Sequence, residues 1–292
     1  MKMNDLPPII GGGSRPPESE VRDARESWRQ WLDSPAGRYA LAWEQAQFDA
    51  TVADIFGFHA LQCGLPEIDT LRENRIQHRF RALQPDDQPA NADLWLDHYE
   101  AMPFASQSLD LVVLPHVLEF AEDPHQVLRE VDRVLRPEGR LVVSAFNPVS
   151  LWGARHLAGR AVGRPWLPGE GQPIGLPRLR DWLKLLGFEQ ERGRFGCYRP
   201  PCRTERWLER TRFLESAGDR WWPICGAVYL ICAVKRVRGM RLVGPALRRR
   251  RLRRPAVAVA SSGQVQREGE ARTAIPEDAG RAGQILAQAR YR

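Results

Sequence analysis

No apolar run in this sequence approaches the ~20 residues that a membrane-spanning helix needs; the longest is Ile224 to Val234. The first twenty residues carry one lysine and no apolar block, so no signal peptide is expected. Five cysteines (Cys63, Cys197, Cys202, Cys225 and Cys232) are scattered, odd in number, and form no C-x-x-C pair. That excludes the usual zinc spacings and a disulfide framework, and it predicts no metal site and reduced thiols in a cytoplasm. There is no G-x-G-x-x-G phosphate loop, which counts against a nicotinamide-dependent oxidoreductase, and there is no internal repeat. Acidic residues are missing from 235–254, where ten Lys/Arg stand; taking those ten charges from the net +7 leaves −3 for the rest. The basic character therefore belongs to a tail. What the chain does have is 43% hydrophobic residues, ten of them tryptophan, enough for one substantial core in 292 residues.

Three segments follow from the patterning. Residues 1–18, rich in Gly and Pro, are expected to be disordered. Residues 19–236 form the folded body, opening with helices over 19–56. Residues 237–292 form a basic, largely disordered tail. A first helix is predicted around Ser19–Leu32. A second starts at Ser34-Pro35, with a capping serine and proline at the first helical position. It places Leu41, Phe48, Val52 and Ile55 on one stripe. Strand and helix signals then alternate. Strands are expected at His59–Cys63, Arg75–Leu83, Leu94–Leu96, Leu109–Leu114, Leu141–Phe146 and Tyr229–Val234. A helix starts at Asp123-Pro124, with Gln126 reaching back to complete a capping box and Gly139 just past the end. Another runs from Pro177 to Gly187, with Leu179, Trp182, Leu183 and Leu186 inward. Such alternation predicts an α/β, mostly parallel sheet with helices on both faces.

Open parallel sheets bind ligands at the carboxyl ends of their strands. The residues of interest are therefore Gly64-Leu65-Pro66, Asp97-His98-Tyr99-Glu100, Pro115-His116 and Asn147-Pro148.

The run from Asp97 to Pro148 resembles the type-11 class I methyltransferases. That family reads acidic-x-E-x-LPF, FD-V, VLEH, DP and RVLRPGG. The counterparts are Glu100 to Phe104, Leu109 to Val112, Val117-Leu118-Glu119, Asp123-Pro124 and Arg133 to Gly139. The resemblance implies a Rossmann-like methyltransferase fold with a seven-stranded sheet, S-adenosyl-L-methionine as cofactor, and transfer of a methyl group to an unidentified acceptor. It departs from the family at the first motif. The acidic residue and glycines of E-x-G-x-G-x-G are replaced by Leu61-Gln62-Cys63-Gly64-Leu65-Pro66. The second motif region, Arg75 to Arg81, has no carboxylate. His98 aligns with the third acidic position, with Asp97 one place earlier, and Phe120 replaces the histidine of VLEH. A shortened first motif beginning F-G-x-H, here Phe56-Gly57-Phe58-His59, resembles a proteobacterial branch of the family.

By that resemblance the cofactor-binding candidates are Gln62, Gly64, Asp97, His98, Met102 and Pro115. His116 is the candidate general base; a histidine bonded to a loop carbonyl is the plainer reading. Asn147-Pro148 reads as a loop turn. Two accounts stay open: an enzyme with a modified pocket, or an inactive methyltransferase-like scaffold whose tail meets nucleic acid or a partner. The run Arg248–Arg254 reads as a solvated tail, as an arm for nonspecific phosphate contact with nucleic acid, or as a contact for anionic lipid; clustered arginines bind phosphate salt-dependently, and no aromatics interleave for base stacking.

Overall fold

The computed structural model describes residues 26–85, 92–167 and 171–236. The chain divides into two compact units, Met1–Met240 and Arg241–Arg292. The expectations for residues 1–18 and for the Arg248–Arg254 tail lie outside the described residues.

Helix α1 is described over residues 26–32. α2 (Pro35–Val52) starts where Ser34 accepts from the Gly37 amide at 3.1 Å. Seven strands follow: β1 (His59–Cys63), β2 (His78–Leu83), β3 (Leu94–Trp95), β4 (Leu109–Pro115), β5 (Leu135–Phe146), β6 (Phe188–Gly196) and β7 (Val228–Lys235). Between them stand α3 (Val117–Phe120), α4 (Pro124–Val134), α5 (Leu151–Ala161), α6 (Leu176–Leu185), α7 (Glu205–Arg210) and α8 (Phe213–Trp221). The sheet order is β3-β2-β1-β4-β5-β7-β6. β3 to β5 run parallel, and β7 lies antiparallel to both β5 and β6. The order reverses between β1 and β4, the crevice where such sheets bind ligands.

Alternation along the buried strands separates two cores. Leu61, Cys63, Val112, Leu114, Leu141 and Val143 face α4 and α6. Ala60, Leu111, Val113 and Val142 face Phe48 and Val52 of α2. Helices thus cover both faces, as the pattern predicts.

Five local expectations change. The capping box at α4 forms only half: Asp123 accepts from the His125 and Gln126 amides, but the Gln126 side chain accepts from Arg129 instead. β2 starts at His78, three residues later than expected. β5 starts at Leu135, directly from α4, and pairs with Leu109 before a bulge. The left-handed residue in that turn is Glu138 (φ 65°), not Gly139. Gly139 is needed for closeness: a Cβ there would lie 2.8 Å from the Arg136 carbonyl. Finally, β6 has no counterpart in the sequence reading, because most of its side chains are exposed at the sheet edge.

The Phe56-Gly57-Phe58-His59 motif has a physical basis. Asp110 of β4 accepts from the Phe58 and His59 amides at 2.7 and 3.0 Å, fixing the entry to β1. Burial pushes the Asp110 pKa up, but the two amides and Arg136 outweigh it and hold it low. A Cβ on residue 57 would sit 2.3 Å from the Asp110 Cβ. Gly57→Ala is therefore expected to cost about 1–3 kcal/mol in denaturant-measured stability, with β1 losing its anchor. A cost below about 0.5 kcal/mol would show that Asp110 can move aside freely.

Candidate functional site

The carboxyl edge is assembled from four strand ends. After β1 the chain turns left-handed twice, at Gly64 (φ 70°) and Leu65 (φ 45°). Such angles are routine for glycine and strained for leucine. Gln62, fully buried, holds this loop. Its Nε2 lies 3.3, 3.2 and 2.9 Å from the carbonyls of Gly64, Leu65 and Ile68. Its Oε1 accepts from the Thr70 amide and hydroxyl. A charged glutamate could not donate to those carbonyls; the amide can do both. Gln62 therefore acts on the edge through the loop rather than by facing a ligand.

Gly64 stands at the closest approach. A Cβ there would lie 3.0 Å from Val117 Cγ2, 3.6 Å from Tyr99 Oη and 3.9 Å from the Pro115 carbonyl. The structure thus brings Gly64, Tyr99, Pro115 and Val117 together. Asp97 and His98 are exposed just past β3. Met102 is buried in the core cluster that also holds Tyr99 and Val117, its amide donating to Glu130 and its carbonyl accepting from Arg133. The end of β2 is Leu83, so Gln84 occupies the place after it. Its Nε2 donates to the Asp97 carbonyl at 3.1 Å. The expected stretch, Arg75–Arg81, ends before this position, so Gln84 is not among the predicted residues.

The end of β4 holds a charged cluster. His116 takes a left-handed conformation (φ 54°) and is 3% exposed. Its Nε2 lies 2.9 Å from Glu44 of α2, and its Nδ1 lies 2.5 Å from Glu119 of α3. Glu119 also accepts from the Phe146 amide at 2.7 Å, tying the ends of β4 and β5. Burial drives the His116 pKa down, but the two carboxylates overcome it and raise it to about 10. Burial raises the Glu119 pKa against the pull of His116. At neutral pH the imidazole is therefore a cation, held between Glu44 and Glu119. Both ring nitrogens are engaged, so neither is open to take a substrate proton. Trp28 stands edge-on to His116 at 5.5 Å and contacts Phe120 and Phe146, while Trp31 contacts Phe146 and Trp152. α1 thus roofs the ends of β4 and β5 with aromatic rings.

Asn147 is a clamp. Its amide nitrogen donates to the Ile224 and Gly226 carbonyls at 2.8 and 2.9 Å, and its oxygen accepts from the Val149 amide. The contact with Val149 is the expected loop turn; the link to 224–226 joins residues more than seventy apart and has no local sequence signal. All five cysteines are free, and no metal-holding cluster exists among the described residues. Among those residues, no helix is long and apolar enough to cross a membrane.

A methyltransferase-domain family model of type 11 matches residues 73–143, beginning just past the Gly64 loop. The uncharacterized protein YafS of Escherichia coli (strain K12) is 34% identical over 160 residues, covering 54% of this chain and 64% of YafS. The ubiquinone/menaquinone biosynthesis C-methyltransferase UbiE of Hahella chejuensis is 48% identical over 48 residues, covering 16% of this chain and 19% of that enzyme. The chain therefore spans less than two thirds of either relative. Among solved structures, a SAM-dependent methyltransferase from Thermotoga maritima shares the fold with a TM-score of 0.54 at 15% identity, over 74% of this chain and 99% of that one. A methyltransferase chain from the Haloferax volcanii complex with the Trm112 activator gives 0.51 at 15% identity, with the same coverage. Residues 73–143 thus match a type-11 methyltransferase domain, and the strand order is that of the Rossmann-like fold which these solved methyltransferases share.

Proposed function

We propose that this chain transfers a methyl group from S-adenosylmethionine to an acceptor at the carboxyl edge of its sheet. The observation that carries the reading is the left-handed turn at Gly64, closed against Tyr99, Pro115 and Val117 and pinned from below by Gln62. The residues present fit the cofactor through neutral and backbone groups. Gly64 lets the main chain come close, as the family's glycine-rich loop does. Gln84 offers an amide where ribose hydroxyls are usually met, and Asp97 supplies the edge's exposed carboxylate. His98 borders it, and Met102 and Pro115 support the walls.

Bound there, S-adenosylmethionine supplies an electrophilic methyl group on a sulfonium. The chain's own contribution is positioning and dryness. Trp28, Trp31, Phe146 and Trp152 exclude water over the β4 and β5 ends. The Glu44–His116–Glu119 cluster holds those ends in place. His116 is thus a positioning residue rather than the base that the sequence suggests. An acceptor that is already nucleophilic, or that loses its proton to solvent, suits a site without a poised base.

The division into a 19–236 body and a 237–292 tail is kept, with the tail run Arg248–Arg254 assigned to nonspecific, salt-sensitive phosphate contact. Five free thiols support a cytoplasmic place. Calorimetry with S-adenosylhomocysteine tests the reading. Binding with a Kd in the range of about 1–100 μM is expected. No heat at high micromolar ligand would favour a scaffold that keeps only the fold.

A further inference from the structure

We propose that the surface formed by α5 and the 198–226 segment docks on an anionic phospholipid bilayer. α8 buries only Gly218. A Cβ at Gly218 would lie 2.3 Å from the Tyr198 ring, so the helix rests its glycine flat on that ring. Its large side chains look outward instead. Phe213 is 66% exposed and Trp221 70%, and Trp222 and Ile224 beyond it are 59% and 63% exposed. Trp207 of α7 is exposed as well. α5 behaves alike: it buries Trp152, Gly153 and His156 and turns Leu151 and Leu157 to solvent.

The two parts are fastened together. Trp152 Nε1 donates to the Arg199 carbonyl at 2.8 Å, Arg155 to the Pro201 carbonyl at 2.5 Å, and Asn147 to the Ile224 carbonyl at 2.8 Å. Asn147 directly follows β5, so this surface adjoins the carboxyl edge that carries the site. Exposed apolar residues scattered singly need no explanation, but three tryptophans and a phenylalanine within 207–222 do.

Charge selects the partner. Residues 147–168 hold Arg155, Arg160 and Arg164 and no Asp or Glu. Residues 199–224 hold six arginines against Glu205, Glu209, Glu215 and Asp219. Arg155, Arg164 and Arg203 line a groove of about 370 Å³ beside Trp166, with the Arg155 guanidinium 4.1 Å from the Trp166 ring centre. Forked guanidiniums match phosphate oxygens. Tryptophan prefers the headgroup level, where one end of the ring is wet and the other dry. A second copy of this chain would set these arginines against their own kind in a two-fold contact. A lipid surface satisfies both the rings and the arginines.

Docked this way, the edge faces an amphipathic acceptor presented from the bilayer. That last clause rests on the methyl-transfer reading; the docking does not, and S-adenosylhomocysteine binding is measured without vesicles. The test sediments the nuclease-treated full chain with vesicles of phosphatidylcholine alone and with about 30% phosphatidylglycerol. The chain is expected to partition onto the anionic vesicles, less so as salt rises. A Trp221→Ser/Trp222→Ser variant and an Arg164→Glu/Arg203→Glu variant are each expected to bind about tenfold more weakly, with melting curves unchanged because these side chains are exposed. Wild-type protein left in solution with both vesicle types overturns the proposal. So do variants that bind like wild type, which would assign the binding to another segment. A wild-type dimer that Trp221→Ser/Trp222→Ser converts to monomer would give the face to a second copy instead.

Discussion

His116→Asn is expected to lower the unfolding free energy by about 3–5 kcal/mol, the usual cost of removing one partner from a buried ionic cluster. For a body of this size that is a fall in Tm of about 10 °C. Asparagine is the informative replacement because it tolerates the left-handed backbone found at position 116. The loss then reports charge rather than strain. Without the imidazolium, Glu44 (1% exposed) and Glu119 face each other across a dry space with no cation between them. Adding Glu44→Gln to His116→Asn should recover part of the loss, since one of the two stranded charges is gone. The cluster also predicts a pH dependence. The folded-state pKa of His116 is about 10, against ~6.5 in an unfolded chain. Its contribution is complete below ~6.5 and disappears as pH rises toward 10. Wild-type Tm should therefore fall between pH 7 and pH 10 more steeply than that of His116→Asn. Parallel curves, or a cost under about 1 kcal/mol, would mean the imidazole is neutral in the fold.

That cluster was only half visible in the sequence. His116 stood out because it follows a strand of near-continuous apolar residues, and such a strand ends at the ligand edge of a parallel sheet. Glu44 did not. It shares a face with Ala40 and Phe48 at four-residue spacing, yet a lone acid beside an apolar stripe reads as the solvated side of a helix. Its partner lies 72 residues away, and no local pattern encodes that distance. Elements whose cause is local were legible. α4 has its capping aspartate and inward stripe, and β4 and the core of β5 are branched-apolar runs buried on both faces. Elements whose cause is tertiary were not. β6 (FEQERGRFG) exists because β7 offers it a hydrogen-bonding edge, and its exposed side chains show no alternation to read. The site divides the same way. Gln62 and Gly64 were found because the family's first motif falls on them. The clamp that Gln62 makes depends on where Ile68 and Thr70 arrive after the turn.

Gly64→Val is expected to weaken S-adenosylhomocysteine binding by at least about 100-fold in calorimetry, equivalent to ~2.7 kcal/mol. Two costs combine at this position. The backbone is left-handed there, which disfavours any side chain by ~1–2 kcal/mol. A Cβ also starts only 3.0 Å from Val117 Cγ2, and the two methyl groups of valine must then grow toward Tyr99 Oη or the Pro115 carbonyl. Those are the walls against which the cofactor edge closes, so the added carbons take the space that the glycine leaves for a ligand. Gly64→Ala adds only the first atom and should cost about tenfold, which grades the effect by volume. Because Gln62 still anchors the carbonyls of Leu65 and Ile68, the loop should persist and the melting curve should keep its single transition. A Gly64→Val protein that stays folded and binds S-adenosylhomocysteine as tightly as wild type would place the cofactor away from the β1–β4 crevice, and the reading built on that turn would fall with it.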